Sequence, residues 1–271
     1  MVREIQSTTA RITLYEDPYS KRIRVDDYAG AINEVVALID QSVQSWVEKL
    51  IVKSRPADVS AFENEGYGRE AVVKKYFSGT DMYFLTRYLT AIRRLNANLT
   101  EEERLISEII NSPVKGQYHP DTACSYATLD DARALADFYK EAFLIYPTPV
   151  GDPDHIRKTI QEGTLYVMIR EDGTITSAAS AEVNRKYSNA ELTDCATTPA
   201  SRGKGHMRIL LGELEKNLKG QGIGCLYTIA RSASHGMNKV FHQLGYTYGG
   251  RMTNNCMIYS GLEDMNVWYK S

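Results

Sequence analysis

The chain has 271 residues, 43% hydrophobic and 24% charged, the balance of a globular protein with length for one large domain or two ordinary ones. A formal net charge of −2 and a pI of about 6.2 supply no global attraction for nucleic acid or an anionic membrane. The opening MVREIQSTTARITLY lacks an apolar run of signal-peptide length, and runs such as VVALI (35–39) are too short to span a bilayer, so a cytoplasmic location is expected.

In chain order, KRIRVDD (21–27) reads as a strand. A helix then sets Ile32, Val35, Val36, Ile39, Val43 and Trp46 on one stripe. KLIVKSR (49–55) is a strand, ADVSAFENEGY (57–67) holds a short helix, and YFLTRYL (83–89) reads as an edge strand. LTEEERLISEIIN (99–111) is a polar-faced helix, and SPVKGQYHPDTA reads as a linker. The domain boundaries expected are 1–115, a linker at 116–122, and 123–271.

The second region alternates strands and helices. CSYATL (124–129) is a short strand, followed by a helix with Ala132, Ala136, Tyr139 and Phe143 on one face and Asp130 or Asp131 as its cap. After a proline-rich loop and a short helix ended by Gly163, the segment 164–187 is a hairpin turning at Asp172-Gly173. NAELTDCATT (189–198) is a strand broken by Pro199, and the helix after it carries Met207, Leu210, Leu211, Leu214 and Leu218 on one face. CLYTIAR (225–231), a helix through GMNKVFHQL and two final strands complete an α/β plan of mixed strands.

The first region echoes the second. KLIVKSRPADVSAFENEGY and CLYTIARSASHGMNKVFHQLGY share a strand ending in Arg, a helix with Phe four residues before Gly, and a Gly-Tyr exit. Phe62 answers Phe241, and Gly66-Tyr67 answers Gly245-Tyr246; chance apolar periodicity is the alternative. The first region has YAGAINE where the second has its glycine loop, so the same ligand is not expected there.

That glycine loop is the most informative junction. A helix N-terminus presents unpaired amides and about half a positive charge. Gly203 and Gly205 let an anion approach those amides, and Arg202 and Lys204 add charge. The mononucleotide P-loop is excluded because Gly205 follows Gly203-Lys204 where that motif needs Ser or Thr, and the dinucleotide fingerprint because Arg208 replaces its third glycine.

The loop Arg202-Gly-Lys-Gly205-His206-Met207 after a fourth strand resembles that of the GNAT superfamily of acyl-CoA-dependent N-acetyltransferases, over residues 122–271 in element order as well as motif. Met207 departs from the small residue usual there. The resemblance implies a GNAT fold: a central mixed, mostly antiparallel sheet splayed between its fourth and fifth strands, here with an N-terminal α/β region resembling a half GNAT domain. It implies acetyl-CoA as co-substrate, with the main chain of Cys195, Ala196 and Thr197 holding the pantetheine arm and the amides of Gly203, Lys204, Gly205, His206 and Met207 holding the pyrophosphate. Ser234 and Phe241 join this set. AELTDCATTPASRGKG, YTIARSASHGMNKVFHQLGYTYGGRMTNNC and GLEDMNVWYK further resemble the β-lysine Nε-acetyltransferases, makers of the compatible solute Nε-acetyl-β-lysine.

An alkyl ammonium has a pKa near 10.4, so at pH 7 roughly one molecule in 2,500 is the free amine and a base is needed. Glu191, four residues before Cys195, stands where some GNAT members carry a general-base glutamate; Asp194 is the second candidate. Simple alternation puts the two on opposite faces unless a bulge intervenes. The Tyr that many members use to protonate the departing thiolate is Phe241 here, and Tyr227, Tyr246, Tyr248 and His242 are its alternatives. β-Lysine needs both charges in its pocket: Arg231 could meet the carboxylate. Asn254, Asn255, Glu263 and Asp264 could meet an amine. Lysine, a polyamine, an aminoglycoside or a protein amino terminus are alternative acceptors, and a non-catalytic acyl-CoA-binding module is a further reading.

Cys124, Cys195, Cys225 and Cys256 form no C-x-x-C pair and the five histidines no ligand pattern, so no metal is expected. Bases are interleaved with acids, against a nucleic-acid surface, while a homo-oligomer is left open.

Overall fold

Arg11–Asp17 alternates buried and accessible residues, with Ile12 and Leu14 fully buried, the period-2 signature of a strand lying on a core. Repeated along the chain, this pattern builds one sheet. A computed structural model describes residues 2–114, 123–143, 146, 148–258 and 261–271. The expected linker at 116–122 lies outside the described residues.

The first region contains β1 (Val2–Gln6), β2 (Arg11–Asp17), β3 (Arg22–Ala29), α1 (Ile32–Gln41), β4 (Lys49–Ser54), α2 (Val59–Asn64), β5 (Gly68–Phe77), β6 (Thr80–Tyr88) and α3 (Leu99–Ile110). The second contains β7 (Ser125–Tyr126), α4 (Ala132–Ala142), α5 (Pro153–Gln161), β8 (Leu165–Glu171), β9 (Thr174–Asn184), β10 (Asn189–Thr197), α6 (His206–Gly220), β11 (Cys225–Arg231), α7 (His235–Gln243), β12 (Thr247–Ile258) and β13 (Gly261–Lys270). The 13 strands of the described residues join one sheet in the order β1-β2-β3-β4-β6-β5-β12-β13-β11-β10-β9-β8-β7.

Read outward from the antiparallel β5–β12 contact, the two halves have the same strand order and sense. β3–β4 is parallel and its other neighbours are antiparallel; β10–β11 is parallel in the same place. Details agree as well. Phe62 meets Tyr67 edge-on at 5.4 Å and Phe241 meets Tyr246 edge-on at 5.2 Å, both at 74°. The amide of Tyr67 donates to the Phe62 carbonyl at 3.1 Å, as that of Tyr246 does to Phe241 at 3.1 Å.

Three expectations need correction. YFLTRYL is no edge: β6 lies between β4 and β5, and its Phe84 and Leu85 are fully buried. The first helix stops at Gln41, since Ser42 caps it and its hydroxyl donates to the Leu38 carbonyl. Val43 and Trp46 nonetheless pack on the same core, which is why they continued the apolar stripe. The strand expected at 124–129 is only Ser125–Tyr126, because Thr128 and Asp131 form a capping box that starts a helical turn at Leu129.

Candidate active site

β10 and β11 pair only at Asn189↔Cys225, Ala190↔Leu226 and Glu191↔Tyr227. Beyond Glu191 the strands part, so the β11-facing edge of β10 has no strand against it through Thr197. Ala190 and Leu192 anchor one face of β10 on the core that Met207, Leu210 and Phe241 of α6 and α7 also fill, while Ala196, past a bulge, packs with α4 on the other face. The fork opens into a cavity of about 1330 Å³.

At one end of the cavity lies the glycine loop. Gly203 and Gly205 have φ of +81° and +83°, a left-handed backbone that Gly adopts without steric cost. The main-chain amides of Gly203 through Met207 donate no hydrogen bond among the described residues, while Arg208 and Ile209 already bond back to the Gly205 carbonyl. Five amides at a helix start are thus unpaired beside an opening lined by Arg202, Gly203, Gly205, His206 and Met207, a cradle suited to a pyrophosphate. Cys195, Ala196, Thr197, Ser234 and Phe241 also line the cavity. Lys204 does not: its ammonium pairs with Glu171 at 2.9 Å, and the Ser201 hydroxyl donates to the same carboxylate at 3.0 Å. Its part is to brace the loop from outside. His206 is buried, with Nδ1 3.0 Å from the Ser177 hydroxyl. At the same end, Asn238 fixes the start of α7 by donating to the Arg231 and Ser234 carbonyls and accepting from Asn266 and the Trp268 indole.

At the fork itself stands Glu191, which accepts a 2.8 Å hydrogen bond from the Tyr227 hydroxyl. Its cross-strand neighbour on β9 is Glu182, a cavity residue for which sequence reasoning had no role. The Glu182 carboxyl is pushed up to about 7, first by desolvation and then by the negative charges of Glu191 and Asp194. A bulge between Thr193 and Ala196, with Asp194 at φ +50°, overrides simple alternation, and both Glu191 and Asp194 reach the cavity wall. Asp194 accepts from the Ser180 hydroxyl at 2.6 Å, and burial pushes its carboxyl up to about 6. Burial, reinforced by Asp194, also holds the Cys195 thiol far above its ordinary pKa, so a thiolate nucleophile is disfavoured.

Among the other expected site residues the structure discriminates. Arg231 lines the cavity with its guanidinium bidentate to Glu263, both contacts 2.7 Å. Asn255 also lines it, is 2% exposed, and its Oδ1 has no hydrogen-bond partner among the described residues. Asn254 and Asp264 stand apart. The Asn254 amide donates to Asp264 at 2.7 Å and its side chain to the carbonyls of Arg93 and Leu95, while Asn96 donates to Asp264 at 2.6 Å. They fasten a bulge in β12 to the segment before α3. Of the alternatives to the absent acid at Phe241, Tyr227 is committed to Glu191 and His242 lies 2.8 Å from the Ser112 carbonyl. The tyrosines in the lining are Tyr15 and Tyr146.

The opposite wall comes from the first region, again unforeseen: Tyr15 of β2 and Arg22, Arg24 and Asp26 of β3. Arg24 grips Asp26 through two hydrogen bonds, at 2.7 and 3.2 Å, and Lys53 reaches Asp26 at 2.8 Å.

The "Acetyltransferase (GNAT) family" model matches residues 132–246. Over 273 aligned residues the chain is 36% identical to N-acetyltransferase YodP of Bacillus subtilis, covering 100% of this chain and 99% of that protein. The chain belongs to the GNAT acetyltransferase family. It is also 32% identical to a beta-lysine N(6)-acetyltransferase of Methanosarcina mazei, over 89% of this chain and 98% of the relative. A phosphinothricin acetyltransferase of the GNAT superfamily from Sinorhizobium meliloti, solved in complex with acetyl-CoA, aligns with a TM-score of 0.49 at 20% identity, over 56% of this chain and 88% of its own. This GNAT enzyme is therefore an N-acetyltransferase using acetyl-CoA. Among the described residues no group of three or more His, Cys, Asp or Glu is placed to hold a metal ion, and no helix is long and apolar enough to cross a membrane.

Proposed function

We propose that the protein transfers the acetyl group of acetyl-CoA to the ε-amine of β-lysine, giving Nε-acetyl-β-lysine, by direct attack with both substrates bound. The observation that carries the reading is the continuity of one cavity from the Gly203–Met207 amides, past the open edge of β10, to the carboxylates at the fork. The names of the Methanosarcina mazei relative and of a Methanococcus maripaludis relative, 32% identical over 92% of this chain, support the acceptor. A cytoplasmic role in making a compatible solute goes with that acceptor.

Acetyl-CoA brings an activated thioester; the chain's own residues do the rest. The amides of Gly203 through Met207 and Arg202 would bind the pyrophosphate, and the free main-chain edge of Cys195–Thr197 would bind the pantetheine arm. Glu191 and Glu182 would draw in the ε-ammonium. Glu191 is held in place by Tyr227. The proton lost by the amine ends on Glu182, whose carboxyl burial pushes up to about 7. Asp194, tied to Ser180, shapes the field behind them.

The domain reading follows the same logic. We take 1–115 as a degenerate half-GNAT copy, 116–122 as a linker and 123–271 as the acetyltransferase domain, supported by the matching strand order. At the position of the glycine loop the first region has Gly30, whose missing Cβ would lie 2.6 Å from the Thr9 carbonyl oxygen, so the exit of β3 is packed against the turn between β1 and β2.

Thiol release from acetyl-CoA tests the reading, with β-lysine, α-lysine, spermidine and no amine compared at equal concentration. Preference for β-lysine is expected; equal rates with α-lysine or spermidine would sink the acceptor assignment.

A further inference from the structure

The two walls of the acceptor end are the same strand positions used twice. In the second region Asn189↔Cys225 is the first β10–β11 pair and Glu191↔Tyr227 the third. In the first region Arg22↔Lys49 is the first β3–β4 pair and Arg24↔Ile51 the third. Arg24 is thus the structural counterpart of Glu191. The outer neighbours correspond too: Glu191 faces Glu182 across β9, and Arg24 faces Tyr15 across β2. Each strand then bulges shortly afterwards, β10 between Thr193 and Ala196 and β3 at Asp26. Because equivalent strands β5 and β12 meet antiparallel, the halves are related by an approximate two-fold, and all four residues line one cavity.

Sequence divergence has given the two walls opposite charge. The second region contributes Glu182, Glu191 and Asp194. The first contributes Arg22, paired with Asp17, and Arg24 with Lys53 behind it, the last two sharing Asp26 as counter-ion, so cations outnumber carboxylates three to two. Arg24 feels the negative charge of Glu191, which places the two walls within electrostatic reach. Arg24 uses Nε and Nη2 on Asp26 and stacks 5.5 Å from the Tyr15 ring, a fixed guanidinium rather than a wandering surface cation.

We propose that Arg24 is a specificity-determining residue that receives the carboxylate of the acceptor, so that the degenerate first half makes the enzyme selective for amino-acid acceptors over carboxylate-free amines. The inference rests on the acetyl-transfer reading above but not on which lysine isomer is used. A diamino acid fits with its ammonium at Glu191 and Glu182 and its carboxylate at Arg24. A polyamine would place a second cation, or nothing, beside the guanidinium. An ionic hydrogen bond of this kind corresponds to roughly 10- to 100-fold in kcat/KM.

The test compares β-lysine with its carboxamide, α-lysine with its carboxamide, and spermidine, on wild type, Arg24→Gln and Arg24→Lys. Wild type is expected to favour the carboxylate member of each pair by about 10- to 100-fold, chiefly through KM. Arg24→Gln should lower kcat/KM for the carboxylates far more than for the carboxamides, so that the ratio falls toward one, and Arg24→Lys should restore part of it. A merely structural Arg24 would lower both members of a pair alike, and that result overturns the proposal. So does a wild type that acetylates carboxamide and carboxylate equally, or spermidine best, a readout that needs no variant to fold. Preference for α-lysine over β-lysine with the carboxylate ratio intact would refute the acceptor assignment alone.

Discussion

The seam between the halves rests on an approach that only glycine permits, and Gly250→Ala probes it. Gly250 pairs with Ala71 across β12–β5 and has φ +130°. A Cβ there would lie 2.4 Å from the Glu70 carbonyl oxygen and 2.8 Å from the Ala71 Cα. Both are backbone atoms, so no side chain can swing aside; the strands must separate. The left-handed backbone costs an L-residue about 1–2 kcal/mol. Overpacking adds about 1–3 kcal/mol, for a loss of about 2–5 kcal/mol in all. For a chain of this size that corresponds to a fall in Tm of about 4–10 °C. Gly212→Ala is the control: it lies inside α6 with no heavy atom within 4 Å of the added carbon, and should stabilise by about 0.5–1 kcal/mol. Urea unfolding followed by circular dichroism reads both. If Gly250→Ala unfolds at the wild-type midpoint, the strands are not held at this spacing and the reasoning fails.

The site makes further predictions. The Glu182 carboxyl is raised to about 7, so it is protonated below that pH and unable to accept the amine's proton; kcat/KM should climb as pH rises through about 7. Glu182→Gln should flatten that limb and lower kcat by about 100-fold or more, and an unchanged pH–rate profile would remove Glu182 from proton transfer. Gly205→Val places a β-branched residue at φ +83° and should weaken acetyl-CoA binding at least about tenfold by calorimetry; normal affinity would put the pyrophosphate elsewhere. Cys195→Ala should keep most activity, because the buried thiol is held far from ionisation; loss of turnover with intact coenzyme binding would reopen a covalent route.

The legible part of this protein was local. The Gly203–Gly205 loop, the stripe Met207, Leu210, Leu211, Leu214 and Leu218, and Glu191 could be read because each depends on neighbours within a few residues. Glu182 was missed although arithmetic would have reached it: a hairpin pairing Asn184 with Asn189 sets Glu182 against Glu191. Arg24 needed the internal echo to be carried back one more strand, from KLIVKSR to KRIRVDD. β2 and β5 escaped notice because tertiary pairing, rather than a turn signature, defines them. Asn254 and Asp264 misled for the converse reason. Polar residues at a strand turn resemble ligands, and only the packed neighbours Asn96 and Leu95 reveal that their bonds are already made.

The antiparallel meeting of β5 and β12 also bears on how the chain stays in solution. In the assembled sheet the two outer strands are β1, five residues long, and β7, with two. Short margins offer little template for another chain. Cut apart at the junction, where β5 and β12 pair through Gly250 and Ala71, the halves would instead bare that close backbone approach within strands of ten and twelve residues. Each half therefore shields its neighbour's border at that point.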